Sequence, residues 1–257
     1  MSDTLKLSID KRGVAYLTLT RAQKHNAMNA DMIEALTQAT QKISADSANN
    51  SVRACVLQAE GPTFCAGGDL GWMQKQMNET REEKMAGAVN LAQMLVSLDE
   101  MPCPLIGKVQ GPAYGGGIGM MAVCDIVIGA SHAKFALTET KLGLIPATIG
   151  PFVIRRIGEA WARQYFFTAK PFDIDTALRM NLVSQSAAGN ELDEAVEKEI
   201  SGILKCQPGA VAKGKALVKT LARNPTMETQ NYSAGKLADC WENEEAVNAI
   251  AAFFANR

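Results

Sequence analysis

The stretch GPAYGGGIGMMAVCDIVIGA, residues 111–130, decides how the rest of the chain is read. A glycine-rich bend runs directly into the apolar segment Gly117–Cys124, and Asp125 then opens the strand-like DIVIGA (125–130). LIGKVQG (105–111) precedes it as another strand. Strand, bend, short buried helix and strand in that order predict a mostly parallel sheet covered by helices. Working toward the N-terminus, 52–58 reads as a buried strand that ends in the turn Glu60-Gly61-Pro62. Residues 5–20 alternate apolar and polar around DKRG and read as a hairpin. Between them lie a polar connector, 21–29, and a helix with Met32, Ile33, Leu36 and Ile43 on one side, capped by Asn29 or Asp31. Beyond Pro151 the pattern is nearly all helical, over 173–181, 190–206, 208–223 and 227–255, with breaks at Gln207-Pro208 and Asn224-Pro225. The division expected is an α/β core, residues 1–190, followed by a helical C-terminal part, 191–257.

Composition narrows the function. With 47% apolar residues, 257 residues bury a sizeable core, which excludes intrinsic disorder. Twenty-six Lys and Arg against 27 Asp and Glu leave a formal charge of −1, so neither nucleic acid nor a membrane surface is an expected partner. The most apolar run, 118–130, contains Asp125 and is shorter than the roughly 20 residues of a spanning helix. MSDTLKLSIDKRG has neither a charged leader nor an apolar block, and a cytoplasmic location is the expectation. The six cysteines stand singly and read as small buried side chains; with only two histidines, no metal site is expected.

Two glycine clusters lie at strand ends: Phe64-Cys65-Ala66-Gly67-Gly68-Asp69-Leu70 and Gly111-Pro112-Ala113-Tyr114-Gly115-Gly116-Gly117. Backbone N–H groups at such bends, above all at a helix N-terminus, converge on developing negative charge. Gly117-Ile118-Gly119-Met120-Met121-Ala122 also fits G-x-G-x-x-A with Glu139 downstream, the pattern of a dinucleotide site. Against that, Asp125 follows Gly117 after only eight residues, too few for a Rossmann crossover helix.

In order and spacing, the hairpin, Lys24-His25-Asn26-Ala27-Met28-Asn29, FCAGGDL, GPAYGGGIG…CDIVIGA and FALTETKLGLIP (135–146) resemble the crotonase (enoyl-CoA hydratase/isomerase) superfamily over nearly the whole chain. The resemblance implies a core of repeated ββα units, a helical C-terminal region used in trimerisation, and an acyl-CoA thioester as substrate, in a homotrimer or a dimer of trimers. No cofactor is implied, since CoA is part of the substrate. Carried over by motif, Gly68 and Gly116 are the oxyanion donors and Glu139 the proton-transfer group. Lys24, His25, Ala27, Ala66, Asp69, Leu70 and Tyr114 surround the CoA and the thioester. Residues 71–90, with Trp72, Met73, Met77 and Met85, read by themselves as core packing, whereas the resemblance implies a mobile wall of the acyl pocket.

Two departures bear on the reaction. Hydratases of this family commonly carry a glutamate where this chain has Gly119, which leaves Glu139 as the one carboxylate. Double-bond isomerases work with one, because the same group takes a proton and returns it. Hydration with one carboxylate needs that group to serve both steps, or Tyr114 or Thr138 to hold the water. The segment Pro146-Ala147-Thr148-Ile149-Gly150-Pro151-Phe152-Val153 is similar to the bacterial branch assigned to methylglutaconyl-CoA hydration in leucine breakdown. That substrate carries a second carboxylate, for which a cation is expected in the acyl pocket. The readings are therefore an enoyl-CoA hydratase, an enoyl-CoA isomerase, and a non-catalytic acyl-CoA-binding protein.

Overall fold

The computed structural model describes residues 3–221, 227–242 and 244–255. Leu5–Ile9 (β1) and Val14–Leu19 (β2) form the expected hairpin, with Leu5 opposite Leu19. A 3-10 turn, Ala22–Lys24, leads to Ala30–Ala48 (α1), which Asn29 caps by accepting the Met32 N–H at 3.1 Å. Ala54–Ala59 (β3) precedes Leu70–Met77 (α2) and Arg81–Asp99 (α3). Next come Leu105–Val109 (β4), Ala113–Tyr114 (β5), Gly116–Val123 (α4), Ile126–Ala130 (β6) and Lys134–Ala136 (β7). A second 3-10 turn, Glu139–Leu142, is followed by Gly150–Thr168 (α5), Phe172–Asp173 (β8), Ile174–Arg179 (α6) and Gln185–Ala187 (β9). The chain ends in Leu192–Leu204 (α7), Pro208–Leu221 (α8), Met227–Trp241 (α9) and Glu244–Ala255 (α10).

Six strands make the main sheet in the order β1-β2-β3-β4-β6-β9, parallel apart from the β1/β2 hairpin, and β5, β7 and β8 make a small second sheet. Successive strand residues point to opposite faces. Ala15, Leu17, Cys55, Leu57, Leu105 and Val127 therefore enter the large core against α1, α3 and α4, while Val14, Ala54, Val56, Ile106 and Ile128 meet α7 through Leu192, Val196 and Ile200. Both faces are covered, which is why these strands read as near-continuous apolar runs. Among the described residues no helix is long and apolar enough to cross a membrane.

Several elements differ from the reading of the sequence, among them β8 and β9, which lie in the stretch beyond Pro151 read as nearly all helical. The 19-residue α3 has no counterpart in it, because α1 and α9 both pack on this helix and erase a one-sided apolar stripe. The stretch 227–255 is two helices rather than one: the chain turns after Trp241 so that α10 lies on the Glu139–Leu142 turn. Asn224-Pro225 falls outside the described residues. Cys55, Cys65, Cys103 and Cys124 are buried as expected, whereas Cys206, in the turn after α7, is exposed.

Ile250 takes its burial from its own chain. It is 0% exposed and clusters with Leu144, Trp241 and Ala246, so its apolar character needs no second subunit. Ile250→Ala is expected to lower stability by about 2–5 kcal/mol, the range for emptying a closed aliphatic site, as read from guanidinium unfolding curves. A loss below about 1 kcal/mol would mean that α10 is not held in this way.

Candidate active site

Residues 25–28 run alongside 66–69. The Met28 N–H donates to Gly67 O at 2.7 Å, the Asp69 N–H to Met28 O at 2.8 Å, and the Ala66 N–H to His25 O at 3.0 Å. Asp69 locks this pairing to α2. Its Oδ1 accepts the Gly71 and Trp72 N–H groups at 2.9 and 3.1 Å, and its Oδ2 accepts Arg21 at 2.9 Å. Burial pushes the Asp69 carboxyl up, but the Trp72 N–H and Arg21 outweigh it and hold the pKa below the usual range. Arg21 also donates to the Ala27 carbonyl, so one guanidinium ties both segments together. Gly68, between Gly67 and Asp69, has an N–H with no acceptor among the described residues.

The second cluster is stitched to the first. The Phe64 N–H donates to Pro112 O at 3.0 Å and the Tyr114 N–H to Cys65 O at 2.9 Å. The chain then reverses at Gly115, whose φ of +48° suits a residue without a Cβ, and enters α4 at Gly116. First-turn N–H groups have no intrahelical acceptor, so the Gly116 N–H is left over. A Cβ on Gly115 would stand 3.1 Å from Glu139 Oε1 and 3.9 Å from Gly67 Cα. Both bends and the carboxylate therefore share one small volume.

Glu139 opens its 3-10 turn and is held through its backbone: the Leu144 N–H donates to Glu139 O at 3.1 Å, and Thr140 Oγ1 donates to Phe166 O on α5 at 2.9 Å. Its stem is partly exposed, yet Oε2 is buried with no hydrogen-bond partner. Burial pushes its pKa up to about 7, against a smaller downward pull from its own backbone N–H. A group titrating near neutrality both accepts and donates a proton readily.

Position 119 holds no second carboxylate and has no room for one. A Cβ on Gly119 would overlap the Ile149 side chain, whose own Cβ would be 2.9 Å away, with Leu95 Cδ1 at 3.7 Å. Ile149, immediately before α5, occupies the space into which a side chain at 119 would project.

The residues expected at the site from the sequence are thus neighbours. Gly68, Gly116 and Glu139 converge. Ala27, Ala66 and Asp69 belong to the paired segments, Leu70 opens α2 directly after them, and Tyr114 directly precedes the Gly115 bend. Lys24 and His25 are exposed at the end of the first 3-10 turn, with His25 Nδ1 2.9 Å from Thr63 Oγ1. The sequence reading missed Arg21, which stood in a polar connector without a distinguishing signal. It also missed Met28, whose methyl lies where a Cβ on Gly116 would be. A cleft of about 830 Å³ lies elsewhere, at the C-terminal end of α4. Its lysines and Arg155 are committed to Asp99 and Asp125, so it does not compete as a reaction centre.

The family described as enoyl-CoA hydratase/isomerase matches residues 10–257. In the solved structures, an enoyl-CoA hydratase from Shewanella pealeana is similar at 35% identity and a TM-score of 0.81, over 99% of this chain and 94% of that one. An enoyl-CoA hydratase of Alternaria alternata is 32% identical over 82% of this chain and 68% of its own length. Mouse mitochondrial methylglutaconyl-CoA hydratase is 30% identical over 75% of this chain and 60% of its own length.

The unpartnered carboxylate has a consequence for stability. The folded protein holds the Glu139 proton up to about pH 7, whereas the unfolded chain releases it near 4.5. The folded state thus loses stability as pH rises between those values, by on the order of 3 kcal/mol in total. Glu139→Gln removes that penalty, and its melting temperature is expected to exceed wild type at pH 8 by a margin that shrinks toward pH 5. An equal margin at both pH values would contradict the burial of this charge.

Proposed function

Because this chain belongs to the enoyl-CoA hydratase/isomerase family, we propose that it adds water across the α,β double bond of an enoyl-CoA, with methylglutaconyl-CoA as the preferred kind of substrate. The observation that carries this reading is the free carboxylate of Glu139 set against the Gly115 bend, beside the unused N–H groups of Gly68 and Gly116. In this reading those two N–H groups receive the thioester oxygen, where losing one donor costs about 3–4 kcal/mol of transition-state stabilisation. Water oxygen bonds to Cβ while the π pair moves through Cα to the thioester oxygen, giving an enolate. Glu139 accepts the proton that the water loses and returns it to Cα as the enolate collapses. The carboxylate ends as it began, and the net change is one added water. With Ile149 filling the space at Gly119, one carboxylate serves both proton transfers.

The same single carboxylate supports a second reading, double-bond isomerisation, in which Glu139 moves a proton between the α and γ carbons. Hydration is preferred because Pro146–Val153 is similar to the methylglutaconyl-CoA hydratase branch and because of the 30% identity to the mouse enzyme of that name. The reading extends to a place in leucine breakdown, in the cytoplasm. It also extends to a homotrimer or dimer of trimers, supported by Leu217 and Val218 of α8, which are 58% and 66% exposed on one chain.

Incubation of an α,β-unsaturated acyl-CoA in heavy-oxygen water is expected to place one solvent oxygen at Cβ. Solvent hydrogen exchange with no oxygen gained would replace hydration by isomerisation. Glu139→Gln is expected to keep acyl-CoA affinity and to lose ~10²-fold or more in turnover. For the wild type, kcat/KM for hydration should climb with pH through about 7, because the base form of Glu139 receives the proton of water. Undiminished turnover in the variant would end both readings. Multi-angle light scattering should give three or six times 27.5 kDa; a monomer at micromolar concentration would refute the assembly.

A further inference from the structure

Helix α4 carries the Gly116 donor at one end and meets a cation at the other. It is eight residues long, so about 12 Å separate its ends, and every residue from Gly117 to Val123 is buried. Beyond its last turn the Cys124 N–H and Sγ turn back to Met121 O at 3.1 Å and Met120 O at 3.2 Å. The next two carbonyls, of Cys124 and Asp125, receive the Arg156 guanidinium, whose Nη1 lies 3.1 and 3.4 Å from them. Arg156 differs from the other cations of the cleft there. Arg155, Lys215 and Lys219 bridge to Asp99 and Asp125, whereas the hydrogen bonds of Arg156 to described residues all go to neutral oxygens. Besides the two carbonyls, its Nε donates to Asn181 O at 2.8 Å and its Nη2 to Ser184 Oγ at 3.3 Å. The Asp125 carboxylate is engaged elsewhere, by the Leu105 N–H at 2.7 Å and Lys215 Nζ at 2.6 Å.

Burial disfavours the Arg156 charge and pulls its pKa down. What holds a half-buried guanidinium here is the negative pole of α4, where the aligned peptide dipoles gather about half an electron charge. The helix that bears Arg156 also braces α4 along its length. Ile149, Phe152, Val153 and Arg156 follow one another at helical spacing and share one side of α5. Ile149 fills the space beside Gly119, Phe152 and Val153 are buried, and Arg156 closes the end. Arg156 ties that end to β6 as well, since Ser184 Oγ accepts the Val127 N–H at 3.1 Å. Held in this way, α4 cannot slide or tilt without breaking these bonds, and Gly116 in its first turn would move with it. A bare negative pole would also offset the positive potential that the opposite end presents to an oxyanion.

We propose that Arg156 is a positioning residue for the reaction: by capping the C-terminal pole of α4 it fixes the Gly116 N–H and the potential which that donor presents to the thioester enolate. This rests on reading Gly116 as an oxyanion donor, and it does not depend on whether the reaction is hydration or isomerisation.

The test uses the intact protein and acetoacetyl-CoA, whose 3-oxoacyl group titrates to an enolate that absorbs in the ultraviolet. Bound to the wild type, this thioester is expected to form its enolate at a lower pH than it does free in solution, because oxyanion donors favour the charged form. Arg156→Met is expected to give back about 0.7 pH unit of that shift and to lower kcat for an enoyl-CoA about fivefold with KM unchanged, the size of effect of one charge at a helix pole. Arg156→Lys, which keeps the charge, is expected to restore part of both. The midpoint belongs to the bound thioester and does not depend on how much of the protein is folded, so lost stability alone does not produce this pattern. A wild-type midpoint in Arg156→Met would overturn the proposal, as would a lysine variant no better than the methionine one. Where Arg156→Met yields no folded protein, Arg156→Gln takes its place under the same criteria. No shift in the wild type itself would refute the reading of Gly116 as a donor, which separates that failure from failure of the proposal.

Discussion

Two backbone bends, at Gly67 and Gly115, pass so close that a single missing Cβ separates them, and the carboxylate of Glu139 rests against the same gap. That closeness is the constraint on which the rest of the site depends. It requires the strand ends after β3 and β4 to be adjacent, which the parallel pairing of Cys55 with Leu105 through Leu57 with Gly107 provides. It also requires residues 112–114 to pair with 64–65, as the bonds from Phe64 and Tyr114 do. Given those pairings, the N–H groups of Gly68 and Gly116 are among the donors at the two bends that have no acceptor among the described residues.

The remaining elements hold this arrangement from outside. Arg21 and Asp69 fasten the 25–28 segment to the start of α2. On the far side, α10 presses on the turn that carries Glu139. Gly143 has a φ of +69°, and a Cβ there would lie 2.6 Å from Ala246 Cα, so the C-terminal helices are packed directly behind the carboxylate. Thr140 ties the same turn to α5, the helix that Ile149 immediately precedes. Glu139 is thereby positioned through its backbone, which leaves its buried Oε2 without a hydrogen-bond partner, and burial raises its pKa.

Features that depend on local chemistry were legible in the sequence. The alternation in β1 and β2, the Asn29 cap and the two glycine clusters each carry their signal within a few residues, and the motifs FCAGGDL, GPAYGGG and LTE yielded the residues of the centre through their resemblance to the crotonase superfamily. What could not be read depends on neighbours distant in sequence. Helix α3 is covered on more than one side and shows no single apolar stripe. Ile149 excludes a side chain at position 119 from thirty residues away, and Arg21 matters only because Asp69 lies beside it. Ile250 is buried only because Leu144 and Trp241 are folded around it.

The central claim is that one carboxylate, enclosed and unpaired, stands beside two free backbone donors. Its most direct test is the titration of Glu139 itself, followed by difference infrared spectroscopy of wild type against Glu139→Gln across the pH range. The account predicts a carboxyl band that converts to carboxylate with a midpoint near 7. A midpoint near 4.5, the value of an ordinary solvated glutamate, would contradict it.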